Sequence, residues 1–166
     1  MNAGSYGGEM KDVVISAEVY RPRTGFTILS REELKFGYRS SVLQELGGIL
    51  VEALLQLTPG DEAVIRNRMK ELNAQRRAKQ PLEYPSAGSV FKRPEGAFAG
   101  KLIEEAGLKG YRIGQAQVSP KHAGFIVNLG GATARDVLAL IKEVQTVVFE
   151  RTGYRLEPEI RILCRE

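Results

Sequence analysis

The chain has 166 residues, of which 43% are hydrophobic and 27% charged, a composition typical of one globular domain or of a small domain with part of another. Its net charge of +4 favours anionic ligands without requiring nucleic acid. One cysteine, Cys164, and one histidine, His122, exclude an intrachain disulfide and the usual Cys/His zinc sites. We expect a cytoplasmic chain, because no signal pattern opens it and its longest apolar stretch, residues 49–57, is too short to span a membrane.

The first nine residues, MNAGSYGGE, contain three glycines and no apolar period. Glycines at that density let backbone N–H groups approach a ligand or let the chain turn sharply. A flexible beginning of the chain is an equally good interpretation of the sequence alone.

Alternation of apolar and polar residues predicts three strands in the first half of the chain. They cover residues 13–20, 26–29 and 49–57, and the apolar face of the first strand consists of Val13, Ile15, Ala17 and Val19. Between the second and third strands, SREE at residues 30–33 fits a capping box and predicts a short helix that ends near Phe36-Gly37. We interpret these elements as the end of a mixed α+β domain whose beginning lies outside this chain.

A basic helix follows. Thr58 is its candidate cap and Pro59 lies in its first turn, which is the usual place for proline. The helix carries an apolar stripe (Ile65, Met69 and Leu72) among many cations and ends before two prolines. We place the domain boundary there, which gives domains of residues 1–80 and 81–166.

The second half predicts a compact α-β-β-α-β unit. A helix over residues 98–106 ends at Gly107, and strands follow over 111–118 and 124–128. A capping box opens a long helix, which Gly153 closes, and a last strand covers residues 156–164. The residues expected to face the core are Ala99, Leu102, Ile103 and Ala106 in the first helix, and Val137, Ile141, Val144 and Val148 in the second.

The last predicted strand has two different faces. Ile160, Ile162 and Cys164 share the apolar face, which would meet the long helix. Glu159 and Arg161 share the other face, where a ligand could lie. Periodicity alone favours a surface ion pair of little energetic weight.

Several strings occur in a recognisable order: MNAGSYGGE, FGYRSS (36–41), SAGSVFKRP (86–94), AGKLIEEAGLKGYRIG (99–114), QVSPKHAGFIVN (117–128) and EPEIR (157–161). This set resembles the UDP-N-acetylenolpyruvoylglucosamine reductase (UDP-N-acetylmuramate dehydrogenase) family. The resemblance implies the end of an FAD-binding domain followed by a substrate-binding domain. It also implies NADPH-dependent reduction of UDP-N-acetyl-enolpyruvoylglucosamine to UDP-N-acetylmuramate in peptidoglycan synthesis, with consequences for cell wall, cell shape and cell division.

Site residues follow from the same resemblance. Arg39 matches the arginine that stabilises the developing enolate, Ser89 the proton donor, and Glu159 a catalytic glutamate that acts as second acid or enolate stabiliser. The implied substrate-binding residues are Tyr38, Lys79 and Arg93, and the implied cofactor-binding residues are Asn2, Ala3, Gly4, Arg76 and Arg161. Gln115 departs from the double glycine usual in the family, which puts close packing at that point in doubt.

The family's flavin is held mainly by an amino-terminal domain outside this chain. We therefore expect the 166 residues alone to bind FAD weakly and to lack reductase activity; a separate chain could carry the FAD domain. One alternative is a stand-alone nucleotide-sugar-binding module without catalysis. Another is an RNA-binding domain built on the cations of residues 66–79, which we rank low because no strand carries the aromatics that base stacking requires. Neither a nucleic-acid nor a membrane partner is expected.

Overall fold

The computed structural model describes residues 1–163, and these fall into two compact units. The first unit is Met1–Glu62, and the second begins at Ala63. Each unit has a hydrophobic core of its own. Across the described residues, no helix combines the length and the hydropathy that a membrane crossing needs.

The first unit contains a small hairpin and a three-stranded sheet. The hairpin consists of β1 (Gly4–Ser5) and β2 (Gly8–Glu9), and a 3-10 turn at Met10–Asp12 follows it. The antiparallel sheet has the order β4-β3-β5, in which the strands are β3 (Val14–Arg21), β4 (Gly25–Ser30) and β5 (Ile49–Leu55). A short helix α1 (Leu43–Leu46), which the sequence did not predict, precedes β5.

The predicted inner face of β3 is wrong at its beginning. Val14 is buried, whereas Val13 and Ile15 are only partly buried. A register irregularity between Val14 and Ser16 shifts the alternation, since a bulge inserts a residue and moves its neighbours to the other face. Ala17 and Val19 are buried as predicted.

The predicted helix after β4 is also wrong, although its capping box forms. The Ser30 backbone N–H donates to Glu33 Oε2 at 2.8 Å, and the Glu33 N–H donates to Ser30 Oγ at 3.3 Å. Residues 31–35 nevertheless form turns and no helix. Lys35 has a φ of 45°, and that left-handed conformation interrupts the right-handed path a helix needs.

The second unit combines helices with an antiparallel sheet, as the predicted α+β class requires. Its four-stranded antiparallel sheet has the order β6-β9-β8-β7. The elements in chain order are α2 (Glu62–Lys79), β6 (Ser86–Ser89), α3 (Ala99–Glu105), β7 (Arg112–Ile113), β8 (Ala116–Val118), β9 (Phe125–Asn128) and α4 (Ala134–Thr152). Helix α4 packs against β7, β8 and α3.

Both core helices of this unit follow the sequence pattern. Thr133 and Asp136 form the capping box of α4, and Gly153 closes the helix with a φ of 75°. Partly buried Val137 packs against the core from its first turn. Among the residues predicted to face inward, those fully buried are Ala99, Leu102, Ile103, Ala106, Ile141, Val144 and Val148.

Other boundaries of the second unit differ from the predictions. Helix α2 begins at Glu62, so Thr58 is not its cap. The single strand predicted over 111–118 is the hairpin of β7 and β8, because Gly114 turns the chain with a φ of 55°. Strand β6 was not predicted as such.

The predicted last strand is wrong over its described part, and Cys164 lies outside the described residues. Residues 156–163 contain one isolated bridge, between Phe91 and Pro158. Two backbone hydrogen bonds flank this bridge, from the Lys92 N–H to the Glu157 carbonyl and from the Glu159 N–H to the Val90 carbonyl, and no longer ladder forms. Ile160 packs against the core, but Ile162 is 53% exposed, so the predicted apolar face does not form.

Candidate functional site

The glycine-rich beginning of the chain folds as a tight hairpin. Gly4 pairs with Glu9 and Ser5 with Gly8. Tyr6 and Gly7 at the tip have φ values of 52° and 88°, the left-handed pair expected of a type I′ turn. Of the two interpretations that the sequence left open, this geometry agrees with the sharp turn.

Asn2 is buried below this hairpin, and both ends of its amide are bonded within the protein. Its Nδ2 donates to Glu9 Oε2 at 2.8 Å, and its Oδ1 accepts from the Lys11 backbone N–H at 3.0 Å. The Lys11 ammonium, 2.9 Å from Glu9 Oε2, and the Asn2 amide both hold the pKa of Glu9 below its usual value. The Asn2 side chain therefore fixes the shape of the hairpin.

Tyr38 and Arg39 occupy the tip of a second tight turn in the first unit. Gly37 and Ser40 exchange backbone hydrogen bonds of 3.1 and 3.3 Å across it. Arg39 has a φ of 52°, an uncommon conformation that is found preferentially at functional sites. Its guanidinium carbon lies 5.7 Å from the centre of the Tyr38 ring.

The hairpin and this turn line one open cavity of about 430 Å³. Arg39 Nη1 donates to the Gly4 carbonyl at 3.5 Å, which joins the two loops. Four of the predicted site residues therefore border the same cavity: Asn2, Gly4, Tyr38 and Arg39. Ala3 is exposed, and its carbonyl accepts a hydrogen bond from the Met10 N–H.

In the second unit, the structure brings Ser89 and Glu159 onto neighbouring segments. Ser89 is exposed at the end of β6, directly after Gly88, which has a φ of 84°. The next residue, Val90, accepts a 2.7 Å hydrogen bond from the Glu159 N–H. The two predicted acids, far apart in the sequence, are thus joined through one backbone contact.

The side chains of this segment differ in exposure. Glu159 is half-buried, whereas Arg161 is exposed. A second hydrogen bond of 2.8 Å, from the Lys92 N–H to the Glu157 carbonyl, and an ion pair between the same two side chains hold the segment in place. These contacts fix the backbone position of the segment that carries Glu159, although no regular strand forms.

The cations predicted to bind substrate or cofactor, Arg76, Lys79 and Arg93, are all exposed. Arg76 and Lys79 lie in the last turn of α2. The guanidinium carbon of Arg93 stacks 3.9 Å from the centre of the Phe98 ring. The sequence did not predict the contact between Phe98 and Arg93. A turn with a proline and a glycine separates the two residues, and helical or strand periodicity does not predict the path of such a turn.

Gln115 fits its position without disturbing the packing. It lies in the β7–β8 turn, where its Oε1 accepts from Arg112 Nη2 at 2.9 Å and its carbonyl accepts from the Leu129 N–H at 3.0 Å. The close approach occurs at Gly114 instead, where a Cβ would come within 2.6 Å of the Asp136 carboxylate. Glycine is therefore favoured at 114, whereas position 115 accommodates a side chain.

The second unit is an α+β domain in which an antiparallel sheet packs against helix α4, and α4 in turn contacts α3. Residues 80–163 match the model of the UDP-N-acetylenolpyruvoylglucosamine reductase C-terminal domain, and the chain belongs to this reductase family. The resemblance seen in the sequence is thereby confirmed.

Individual relatives agree with the family model. The chain is 54% identical over 163 residues to a UDP-N-acetylenolpyruvoylglucosamine reductase of Lachnoclostridium phytofermentans, covering 98% of this chain and 53% of the relative. For that of Caldanaerobacter subterraneus the identity is 56%, with 98% and 54% covered. The crystal structure of the reductase MurB from Thermus caldophilus matches with a TM-score of 0.83 and 43% identity, over 97% of this chain and 57% of that one.

The chain thus spans about half the length of the curated relatives it matches. These matches do not favour the alternative of a stand-alone nucleotide-sugar-binding module.

Proposed function

We propose that these residues serve in the NADPH-dependent reduction of UDP-N-acetylenolpyruvoylglucosamine to UDP-N-acetylmuramate, a step of peptidoglycan precursor synthesis. The observation that carries the proposal is the 2.7 Å hydrogen bond from the Glu159 N–H to the Val90 carbonyl. It ties the backbone of Glu159 to the residue that directly follows Ser89, and we propose that these two side chains reach the same substrate, because protonation of a carbanion requires a positioned proton donor.

Each proposed catalytic residue has a distinct task. FAD, when bound and reduced, supplies the hydride that the enolpyruvyl group receives. Arg39 holds the substrate carboxylate, because a guanidinium binds two oxygens at once and keeps its charge as negative charge develops there. Ser89 gives its hydroxyl proton to the carbanion, and Glu159 acts as second acid or stabilises the enolate.

We assign the cavity in the first unit to one edge of the flavin. Its glycine-rich wall would let a flat ring approach the backbone, and the Arg39 guanidinium borders it. We assign Gly4 and Ala3 backbone contacts with the cofactor, and Asn2 the role of fixing that backbone. Arg76 and Arg161 are proposed as further cofactor contacts.

The diphosphate of the substrate is assigned to Lys79 and Arg93, with Tyr38 as a further substrate contact. Stacking on Phe98 restricts the Arg93 guanidinium, so less side-chain freedom is lost when it binds a phosphate. Both cations are exposed, as a contact with a phosphate needs.

The cellular setting follows from this reaction. A UDP-sugar and NADPH are cytoplasmic metabolites, so we propose a cytoplasmic location and a contribution to cell shape and division through the supply of wall precursor. We propose a separate chain that carries an FAD domain as a partner, and we propose no nucleic-acid partner.

Binding and turnover test the proposal separately. UDP-N-acetylenolpyruvoylglucosamine is titrated calorimetrically into the 166-residue chain, and Lys79→Ala or Arg93→Ala should weaken binding about tenfold each. Lys101→Ala is the control, since Lys101 is an exposed cation whose partner, Glu105, lies on the same helix. Unchanged affinity in both test variants would contradict the substrate assignment.

For turnover, the flavin absorption band and NADPH oxidation are followed with FAD and substrate present. Because the relatives are about twice as long, the assay is run with and without the remaining portion of the Thermus caldophilus reductase. We expect no turnover from the 166 residues alone. Wherever turnover occurs, Ser89→Ala should slow it by about 10²-fold or more, the usual contribution of a general acid. Equal rates for Ser89→Ala and the unaltered protein would refute the role of Ser89.

A further inference from the structure

Helix α2 is held to its unit in an unusual way. None of its residues is buried, and most of its large apolar side chains are exposed, with Val64 at 67% and Met69 at 58%. Packing of an apolar face, which supplies most helical stability in proteins, therefore does not fix the end of α2. That end nevertheless carries the cations proposed to meet the cofactor and the diphosphate.

Lys121 reaches this end from the turn between β8 and β9. Its Nζ donates a 2.8 Å hydrogen bond to the carbonyl of Arg77 in the last turn of α2, and lies 3.4 Å from Glu83 Oε2. An ammonium at this place satisfies a helix-end carbonyl and opposes the negative end of the helix dipole. Buried Pro81 fixes the chain just beyond the helix.

The turn that carries Lys121 is itself rigid. Ser119, only 1% exposed, accepts hydrogen bonds at its Oγ from the backbone N–H groups of Lys121 and His122, both at 3.2 Å. His122 Nδ1 accepts in turn from the Gly124 N–H at 3.1 Å, and its ring packs edge-on against Phe125. Lys121 thus links the buried core to an otherwise exposed helix end.

From these contacts we propose that Lys121 is a positioning residue for Lys79. By holding the Arg77 carbonyl, it fixes the last turn of α2 and so the direction in which Lys79 presents its ammonium to a diphosphate. This inference rests on the proposed function, which assigns the diphosphate to Lys79. Without Lys121 the last turn frays, and Lys79 must be ordered again each time a phosphate binds.

The experiment is a double-mutant cycle on the 166-residue chain, with UDP as the titrated probe. Lys121→Met should weaken UDP binding about fivefold, the equivalent of one ordinary hydrogen bond, because Lys121 acts on the ligand only through Lys79. In the Lys79→Met background, Lys121→Met should have no further effect, because the residue it positions is gone. Lys109→Met is the matched control: its Nζ lies 2.7 Å from Glu104, and its side chain is 33% exposed against 32% for Lys121.

A second readout does not depend on a ligand. Amide hydrogen exchange should accelerate in the last turn of α2 in Lys121→Met, especially at the Gln80 N–H, which donates to the Arg76 carbonyl at 2.8 Å. Lys121→Arg, which keeps a donor and its charge, should restore both slow exchange and affinity. If Lys121→Met does not fold, Lys121→Gln takes its place in the same comparison.

The outcomes separate this inference from the function on which it rests. If Lys79→Met leaves UDP affinity unchanged, the diphosphate assignment is wrong and the role of Lys121 falls with it. If Lys79→Met weakens binding but Lys121→Met does not, only the role of Lys121 is refuted. Additive losses would also refute it, because Lys121 would then act on the ligand independently of Lys79.

Discussion

Replacing Leu140 by alanine should test the core on which the second unit depends. Leu140 lies on the inner face of α4 and is 0% exposed. A buried leucine cut to alanine loses transfer free energy and leaves a cavity, so we expect a loss of about 3 kcal/mol in the free energy of unfolding. That loss corresponds to about a hundredfold shift in the folding equilibrium.

Leu138 on the same helix provides the matched control. It is 40% exposed, so Leu138→Ala removes the same atoms with little cavity, and we expect a loss of about 1 kcal/mol or less. Urea denaturation followed by circular dichroism measures the difference. Amide exchange along α4 assigns it to the second unit, because the two units need not unfold together. Equal losses in the two variants would refute the packing of α4 described above.

Two further predictions concern the first turn of α4 and the loop beside it. Hydrogen bonds from the backbone N–H and then the hydroxyl of Thr133 hold the pKa of Asp136 below its usual value. The stabilisation that the Asp136 carboxylate provides should therefore be complete above the ordinary aspartate pKa and lost as pH falls through the lowered pKa of the folded protein. Asp136→Asn should abolish that part of the pH dependence of urea unfolding. An unchanged profile in Asp136→Asn would contradict this prediction. Gly114→Ala should lower the free energy of unfolding by about 2 kcal/mol, and Gly110→Ala should lower it by about 1 kcal/mol. Both glycines have a positive φ, but only at position 114 would the new Cβ approach the Asp136 carboxylate, at 2.6 Å. Denaturation midpoints measure both, and equal losses would show that the carboxylate simply moves aside.

The sequence predicted best those elements whose signals are local. Helix α4 begins at the Thr133 cap and ends at Gly153, and both signals lie next to the helix end that they determine. The inward positions of α3 and α4 follow from spacings of three and four residues within each helix. Local signals can also form without their usual consequence. The Ser30–Glu33 capping box makes both of its hydrogen bonds, yet Lys35 leaves the helical conformation before a second turn can form.

Predictions that depend on distant partners failed more often. The inner face of β3 depends on a bulge that its alternation does not reveal. The segment after α4 alternates like a strand, but its partner offers only residues 90–92 for pairing. The contacts of Phe98 with Arg93 and of Lys121 with the Arg77 carbonyl join positions that no local pattern relates.

The placement of Glu159 shows why the site is harder to predict than the fold. Its segment pairs through the Glu159 N–H and the Glu157 carbonyl only, and Gln145 of α4 donates a 2.8 Å hydrogen bond to the carbonyl of buried Leu156 just before it. Because Val90 and Lys92 directly follow β6 and Gln145 belongs to α4, the end of β6 and helix α4 together fix the backbone of the segment that carries Glu159. A change at Gln145, remote from the proposed chemistry, should therefore displace Glu159 before it destabilises α4.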